Sequence, residues 1–348
     1  YRSAIEQRPD FLEAWFNLAT LCTQVDRFED AIEAWRRVLA LDPDHDEARV
    51  MLASTLQEVR RLDDAERELD VVLARRPDHP GAHLCLGLGR LARGDLAAGW
   101  AHFEWRWRTP TMAPHRRLLP VPEWMGEDLA GLVILVHHEQ GFGDSLQFAR
   151  FLPLLAARGA RVRVEVPRAL IRLFRSLPGV EILEPGQPLG ALDRHVPMMS
   201  LARYFAPTTD AIPSAPYLHA PADDISRWRN LLAADRNLKV GLAWAGDPRP
   251  ELPEATRIDR RRSIALRDLA PLAGVDGVSW YSLQLGAGAA QAGLPDNRFR
   301  LIDHTAQLRD FADTAAFMAA LDLVITVDTS VVHVAGAIGR PTWLLSRF

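Results

Sequence analysis

The stretch Leu132-Val133-Ile134-Leu135-Val136-His137-His138-Glu139-Gln140-Gly141-Phe142-Gly143-Asp144-Ser145-Leu146-Gln147-Phe148 passes from a continuous apolar run through a glycine-bearing turn into an amphipathic segment. A short apolar run that stops at a turn signal reads as a buried strand, and the segment after it reads as a helix. Glycines at such a junction let a ligand approach the backbone, and the helix aims its free N–H groups at it. Asp144 adds one carboxylate at the start of that helix. An acid or base is well placed there, at the mouth of a parallel sheet, where open α/β folds bind ligands. A helix N-cap is the other role open to the same residue.

Working outward, strand-like runs alternate with helical patterns. The first block has Leu132–Val136, Val162–Val166, Val180–Leu183 and His195–Met198. The second has Lys239–Trp244, Val278–Leu283, Phe299–Ile302, Leu323–Val327 and Thr342–Leu345. Pro207, Pro213, Pro216 and Pro221 separate the blocks, and Pro110, Pro114, Pro120 and Pro122 mark a linker over 109–128. Alternation of this kind predicts two Rossmann-like halves, 129–220 and 221–348, with a ligand cleft between their facing sheet edges.

The first 108 residues follow another rule. Pro9, Pro43 and Pro77 recur every 34 residues, and the intervening registers agree: Trp15, Arg49 and His83; Leu18, Leu52 and Leu86; Ala19, Ala53 and Gly87; Ala31, Ala65 and Gly99; Trp35, Leu69 and Phe103. Small residues recur where two helices must approach closely and large apolar ones where they interlock. The period and pattern resemble the tetratricopeptide repeat, a helix–turn–helix unit that stacks into an α-solenoid. Complete units are expected at 12–45 and 46–79, with half a unit before them and a third over 80–108. A solenoid offers a groove for a protein partner, or acts only as a packing arm. Trp100, Phe103, Trp105 and Trp107, interleaved with Arg106 and Arg108, read as a closing repeat docked on the next domain more readily than as a stacking platform for bases.

The 348 residues suffice for two or three domains, and 48% apolar with 25% charged composition fits a globular chain. A net charge of −4 shows no bias toward nucleic acid or anionic membranes. Cys22 and Cys85 fall at core-type helical positions and read as buried thiols rather than a disulfide or metal pair. No run approaches the roughly 18 apolar residues of a membrane span, and a cytoplasmic location is the default expectation. The chain opens at Tyr1 in mid-pattern and stops at Phe348 just after an apolar run, so a piece of a longer protein is expected, with the second half incomplete.

For the cleft, a dinucleotide is a poor fit. Gly141 and Gly143 match the first two glycines of G-x-G-x-x-G, but Leu146 stands at the third, and Glu165 lies inside a strand pattern instead of at its end. The second block carries a better anion site. Val327-Asp328-Thr329-Ser330-Val331-Val332-His333 ends a strand and begins a helix, which Thr329 and Ser330 can cap or open to a phosphate. Arg260-Arg261-Arg262-Ser263 precedes a helical run at Ala265–Leu272 and offers guanidinium groups to phosphate oxygens, or else forms a solvated loop. No clustered carboxylates suggest a magnesium site, so neither metal nor cofactor is expected.

These residues together resemble the glycosyltransferase family 9 group, related to the lipopolysaccharide heptosyltransferases, in its bacterial form with tetratricopeptide repeats in front. The match runs in order through Gly99-Trp100 with Glu104-Trp105-Arg106-Trp107, Glu139-Gln140-Gly141-Phe142-Gly143-Asp144 with Gln147-Phe148, and Val240-Gly241-Leu242-Ala243-Trp244-Ala245-Gly246. It continues through Arg262-Ser263-Ile264, Ser282-Leu283-Gln284, Asp310-Phe311-Ala312-Asp313-Thr314-Ala315, and Asp328-Thr329-Ser330 with His333, Ala335, Gly336 and Pro341. The resemblance implies a two-halved GT-B fold that moves a sugar from a nucleotide diphosphate to a hydroxyl of a protein or glycan, with inversion and without a metal. It implies Asp144 as general base, and His138 and Gln140 on the acceptor side. Gly143, Arg261, Arg262, Ser263, Gln284, Asp328, Thr329, Ser330 and His333 are expected on the donor side. Asp328 serves in its turn or at the ligand, and His333 contacts the nucleotide or packs in the core. The chain departs from many relatives at His137-His138, where an extra acid or base is available. The competing reading is a repeat scaffold whose transferase-like half binds nucleotide without catalysis; nucleic-acid binding lacks the basic surface it needs.

Overall fold

In the computed structural model, which describes residues 1–249, 253–295 and 297–346 without the side chains of 253–255, the 34-residue period folds as helix hairpins. A short α1 (Arg2–Gln7) precedes α2 (Leu12–Gln24) with α3 (Phe28–Leu41), α4 (Asp46–Glu58) with α5 (Leu62–Arg75), and α6 (Pro80–Arg93) with α7 (Leu96–Phe103). The recurring small residues lie where expected: Ala19, Ala31, Ala53 and Ala65 are fully buried. At the third hairpin the approach is closer still, since a methyl on Gly87 would lie 2.8 Å from the Phe103 nitrogen and one on Gly99 2.8 Å from Leu91. Trp35, Leu52 and Leu69 fill the space between hairpins, with Phe16 packed edge-on against Trp35 at 5.0 Å.

Two further features share the period. The turn residues Asp26, Arg60 and Gly94 all have left-handed backbone, with φ of 61°, 63° and 89°. Trp15 Nε1 and Arg49 Nη2 donate to the carbonyls of Pro9 and Pro43 at 2.9 and 2.8 Å, and His83 Nε2 meets the Pro77 carbonyl at 2.8 Å. Three chemically different side chains thus make one repeat-specific hydrogen bond. In the aromatic cluster that follows, His83 stacks on Trp105 at 3.9 Å, Arg108 lies over the same indole, and Arg106 lies over Phe103 and Trp107. Those rings are already occupied by side chains of their own unit.

The chain divides into two units, Tyr1–Leu118 with Ala202–Ile212, and Leu119–Leu201 with the chain from Pro213 on. The second unit holds two parallel sheets. The first block gives β1 (Val133–His137), α8 (Phe142–Phe148), α9 (Leu152–Ala157), β2 (Arg161–Glu165), α10 (Arg168–Phe174), β3 (Val180–Leu183) and β4 (Arg194–Pro197), in the order β3-β2-β1-β4. Beyond α11 (Leu201–Phe205), the second block gives α12 (Ala222–Leu231), β5 (Leu238–Ala243), α13 (Pro253–Arg262), α14 (Ala270–Ala273), β6 (Val278–Ser282), β7 (Leu301–Ile302), α15 (Phe311–Ala319), β8 (Leu323–Val327), α16 (Ser330–Ala337) and β9 (Thr342–Leu345), in the order β7-β6-β5-β8-β9. Every residue of β1 is buried because parallel sheets carry helices on both faces, which is why the run is apolar up to Val136. An α-solenoid followed by two Rossmann-like halves, each built on a parallel sheet, is therefore the architecture.

Two local expectations change. The helix foreseen at Ala265–Leu272 is only a 3₁₀ turn at Leu266–Leu269 followed by the four residues of α14. Pro271 lacks an N–H and disfavours helical backbone in the residue before it, so one continuous helix cannot form. The arginine run Arg260–Arg262 is not a loop before a helix but the last turn of α13, where positive charge suits the helix dipole. Within the stretch expected as a linker, Trp124 is fully buried and its N–H donates to the His195 carbonyl at 2.8 Å, which lays Pro122–Trp124 alongside β4. Arg347 and Phe348, where the incomplete end was expected, lie outside the described residues.

Candidate active site

In each sheet the strand order reverses beside a central strand: at β1 between β2 and β4, and at β5 between β6 and β8. Loops leaving the carboxyl ends of such strands diverge and leave a crevice. Here the loops after β1, β5, β6, β7 and β8 line one cavity of about 1170 Å³ within the second unit. That volume exceeds what a drug-sized ligand needs.

On the first half's wall, Gln140 has left-handed backbone (φ 59°), an uncommon conformation for a residue with a side chain. It swings the chain so that Gly141 N–H donates to Asp144 Oδ2 at 2.9 Å, tying the carboxylate to the first turn of α8. His138 is anchored twice: its N–H donates to the Glu165 carbonyl at 3.1 Å, and its Nδ1 lies 3.0 Å from Ser145 Oγ. Burial holds the His138 imidazole below its ordinary pKa, although Asp144 and Glu165 pull the other way. Behind it, buried Glu139 accepts from Met199 N–H at 3.0 Å.

The second half supplies the opposite wall. Gln284 is buried and fully engaged: Oε1 accepts from Trp244 and Ala245 N–H at 2.9 and 2.8 Å, and Nε2 donates to the Ala245 and Leu285 carbonyls, both at 2.9 Å. It braces the loop leaving β5. Arg262 lines the cavity and pairs with buried Asp259 at 3.2 Å, beneath Gly246, where a methyl group would collide with Asp259 at 1.9 Å. Thr329 is the N-cap of α16, its hydroxyl accepting from Val331 N–H at 3.4 Å. Asp328 and Ser330 lie exposed and half-buried beside it. His333, on the same helix, is pushed below its usual pKa by burial, helped by Arg150 and Arg262 and opposed by Asp328 and Asp144.

The two walls meet at Gly143. A methyl there would lie 2.9 Å from His333 Cδ2, so α8 and α16 touch where only glycine fits. Phe142 and Phe311 also pack across the cleft edge to face at 5.2 Å.

Of the residues expected from sequence, the cavity brings together His138, Gln140, Gly143, Asp144, Arg262, Gln284, Asp328, Thr329, Ser330 and His333. Arg261 and Ser263 are not on its wall; Ser263 Oγ instead accepts from Gly246 N–H at 3.0 Å and acts as a tether. Sequence reading missed Arg309, which lines the cavity while donating to both carboxylate oxygens of Asp313 at 2.7 and 3.0 Å. Asp310 caps α15 by accepting from Ala312 and Asp313 N–H, both at 3.0 Å. Among the described residues no cluster of three or more His, Cys, Asp or Glu is placed to hold a metal, and no helix is long and apolar enough to cross a membrane.

The tetratricopeptide-repeat family matches residues 1–46 and 26–85, and the first unit is built of these repeats. Protein FlbA of Caulobacter vibrioides is 26% identical over 291 residues, covering 74% of this chain and 46% of that protein, so the chain spans about half the length of the curated relative it matches. Among solved structures, a glycosyl transferase family 9 protein from Veillonella parvula is similar with 12% identity and a TM-score of 0.47, over 63% of this chain and 81% of that chain. MamA from Desulfovibrio magneticus is similar over 30% of this chain and 59% of that chain, with 19% identity and a TM-score of 0.28.

Proposed function

We propose that the second unit is a glycosyltransferase that moves a sugar from a nucleotide-diphosphate sugar to a hydroxyl of a protein or glycan acceptor, by inversion and without a metal. The repeats of the first unit recruit that acceptor, and the reaction belongs in the cytoplasm with its donor. The observation that carries this reading is the single cavity in which a carboxylate fixed at the exit of β1, Asp144, faces the capped start of α16 and Arg262.

In this reading Asp144 Oδ2 is spent on the Gly141 N–H, and Oδ1 accepts the acceptor proton as the oxygen attacks the anomeric carbon. Arg262, Arg309 and the positive end of the α16 dipole offset the charge of the departing diphosphate, which is where fixed charge accelerates most. Gln284 and Ser263 keep the β5 exit loop in shape beneath it.

Asp144→Asn is expected to lower transfer by about 10²–10⁴-fold while leaving nucleotide binding intact. Thermal unfolding with ADP, UDP, GDP and CDP, followed by transfer assays with the sugar of whichever binds, measures both. A ligand at about 100 times its dissociation constant adds about 2.7 kcal/mol to stability. Transfer that survives in Asp144→Asn would remove Asp144 as base. A melt that no nucleotide shifts would leave the chain a repeat scaffold.

A further inference from the structure

We propose that His138, held by Ser145, receives the proton that Asp144 takes from the acceptor hydroxyl, so that proton removal is shared by a two-residue relay. This rests on the transferase reading above. The argument begins with position: His138 is the first residue after β1 and lines the cavity with Asp144, while its anchor, Ser145, is buried and directly follows Asp144 on α8.

The anchor also selects the tautomer. Ser145 Oγ has a carbonyl acceptor at Gly141 O, 3.5 Å away, and it lies 3.0 Å from His138 Nδ1. With the hydroxyl donating to the carbonyl, its lone pair faces the ring, Nδ1 carries the hydrogen and Nε2 the lone pair, and this is the tautomer the relay requires. Among the described residues Nε2 has no hydrogen-bond partner, which leaves it as the open nitrogen of the ring.

The charged groups facing the ring are Asp144 on α8 and Glu165 at the end of β2. Both favour the imidazolium, and burial outweighs them, so the ring is neutral at neutral pH with its lone pair available. A neutral imidazole is ordinarily a stronger base than a carboxylate, so its lone pair can take on a proton that a carboxylate has accepted. The step balances. The acceptor oxygen bonds to the anomeric carbon, the carbon–oxygen bond to the diphosphate breaks with its electron pair leaving on phosphate, and the proton passes through Asp144 to Nε2. The carboxylate is restored, and the imidazolium sits between two negative charges until solvent discharges it.

The test is the pH profile of transfer by the full chain. The unsubstituted protein is expected to lose rate on the acid side as His138 becomes protonated. In His138→Gln this limb should move to lower pH, and the rate at neutral pH should fall about tenfold. Ser145→Ala keeps the imidazole, frees its tautomer, and should shift the limb without abolishing transfer. Nitrogen-15 histidine spectra at neutral pH should show the Nδ1–H form for His138 in the unsubstituted protein and a mixture in Ser145→Ala. An unchanged acid limb in a folded His138→Gln variant would overturn the relay while leaving the transferase reading standing, and so would an Nε2–H form in the unsubstituted protein. Absence of transfer by the unsubstituted protein with every donor would overturn both.

Discussion

A methyl group added to Gly143 would fall 2.9 Å from Cδ2 and 3.4 Å from Nε2 of His333, and 3.8 Å from the Ser330 Cα. Gly143→Ala should therefore displace His333 in the cavity, cost about 1–3 kcal/mol of stability, and weaken the nucleotide binding proposed for that wall. Calorimetric melting and titration measure both, and adding His333→Ala should restore part of the stability, a non-additivity expected only of residues in contact. Most of the cavity residues named from the sequence sit in loops directly after strands or in the first turns of the helices that follow, where a glycine, a capping hydroxyl or a carboxylate has a reason to be; Arg262, at the end of α13, is the exception. Arg309 was not legible because its partner Asp313 becomes meaningful only once α15 is buried, and Ser263 misled because a serine beside arginines looks like a phosphate contact when its hydroxyl is tied to Gly246.

At the scale of elements, the left-handed turn between the helices of each hairpin is occupied by Asp26, Arg60 and then Gly94. A side chain in that conformation costs about 1–2 kcal/mol, of which glycine would recover a part after its larger entropy in the unfolded chain is counted. Arg60→Gly should raise the stability of the repeat unit by about 0.5–1 kcal/mol in denaturant unfolding, while Gly94→Ala should lower it by a similar amount. This turn was invisible in the sequence because two of its three residues are not glycine. β1 was legible because a strand covered on both faces is apolar along nearly its whole length, whereas β2, Arg161–Glu165, shows itself by alternating charged and apolar residues. Their ends were less so: β1 runs one residue further than its apolar run, ending on His137, whose buried ring finds His195 of β4 at 3.3 Å. The failed helix at Ala265–Leu272 shows the opposite limit, since apolar periodicity was present but Pro271 overrode it.

Across the second unit as a whole, a network of arginines and aspartates joins the halves. Arg172 of α10 donates to Asp310 at 3.1 Å and to Asp313 at 3.0 Å, while Arg227 of α12 and Arg309 converge on the same fully buried Asp313. Burial pushes the Asp313 carboxyl up, but hydrogen bonds from Arg309 and Arg172 outweigh it and bring its pKa to about 2 from an ordinary 3.8. The stability this lends is complete above the ordinary value and is lost as pH falls toward 2, a loss of about 2 kcal/mol. Asp313→Asn should flatten that part of the acid limb in denaturant unfolding between pH 5 and pH 2. The glycine contact between α8 and α16 has a mechanical consequence of its own. If the halves swing about that point to admit or release a ligand, Asp144, the next residue in the chain, stands at the fulcrum and travels least, whereas the outer walls sweep the longest arc. The mouth can open wide while the Asp144 carboxylate stays almost where it was.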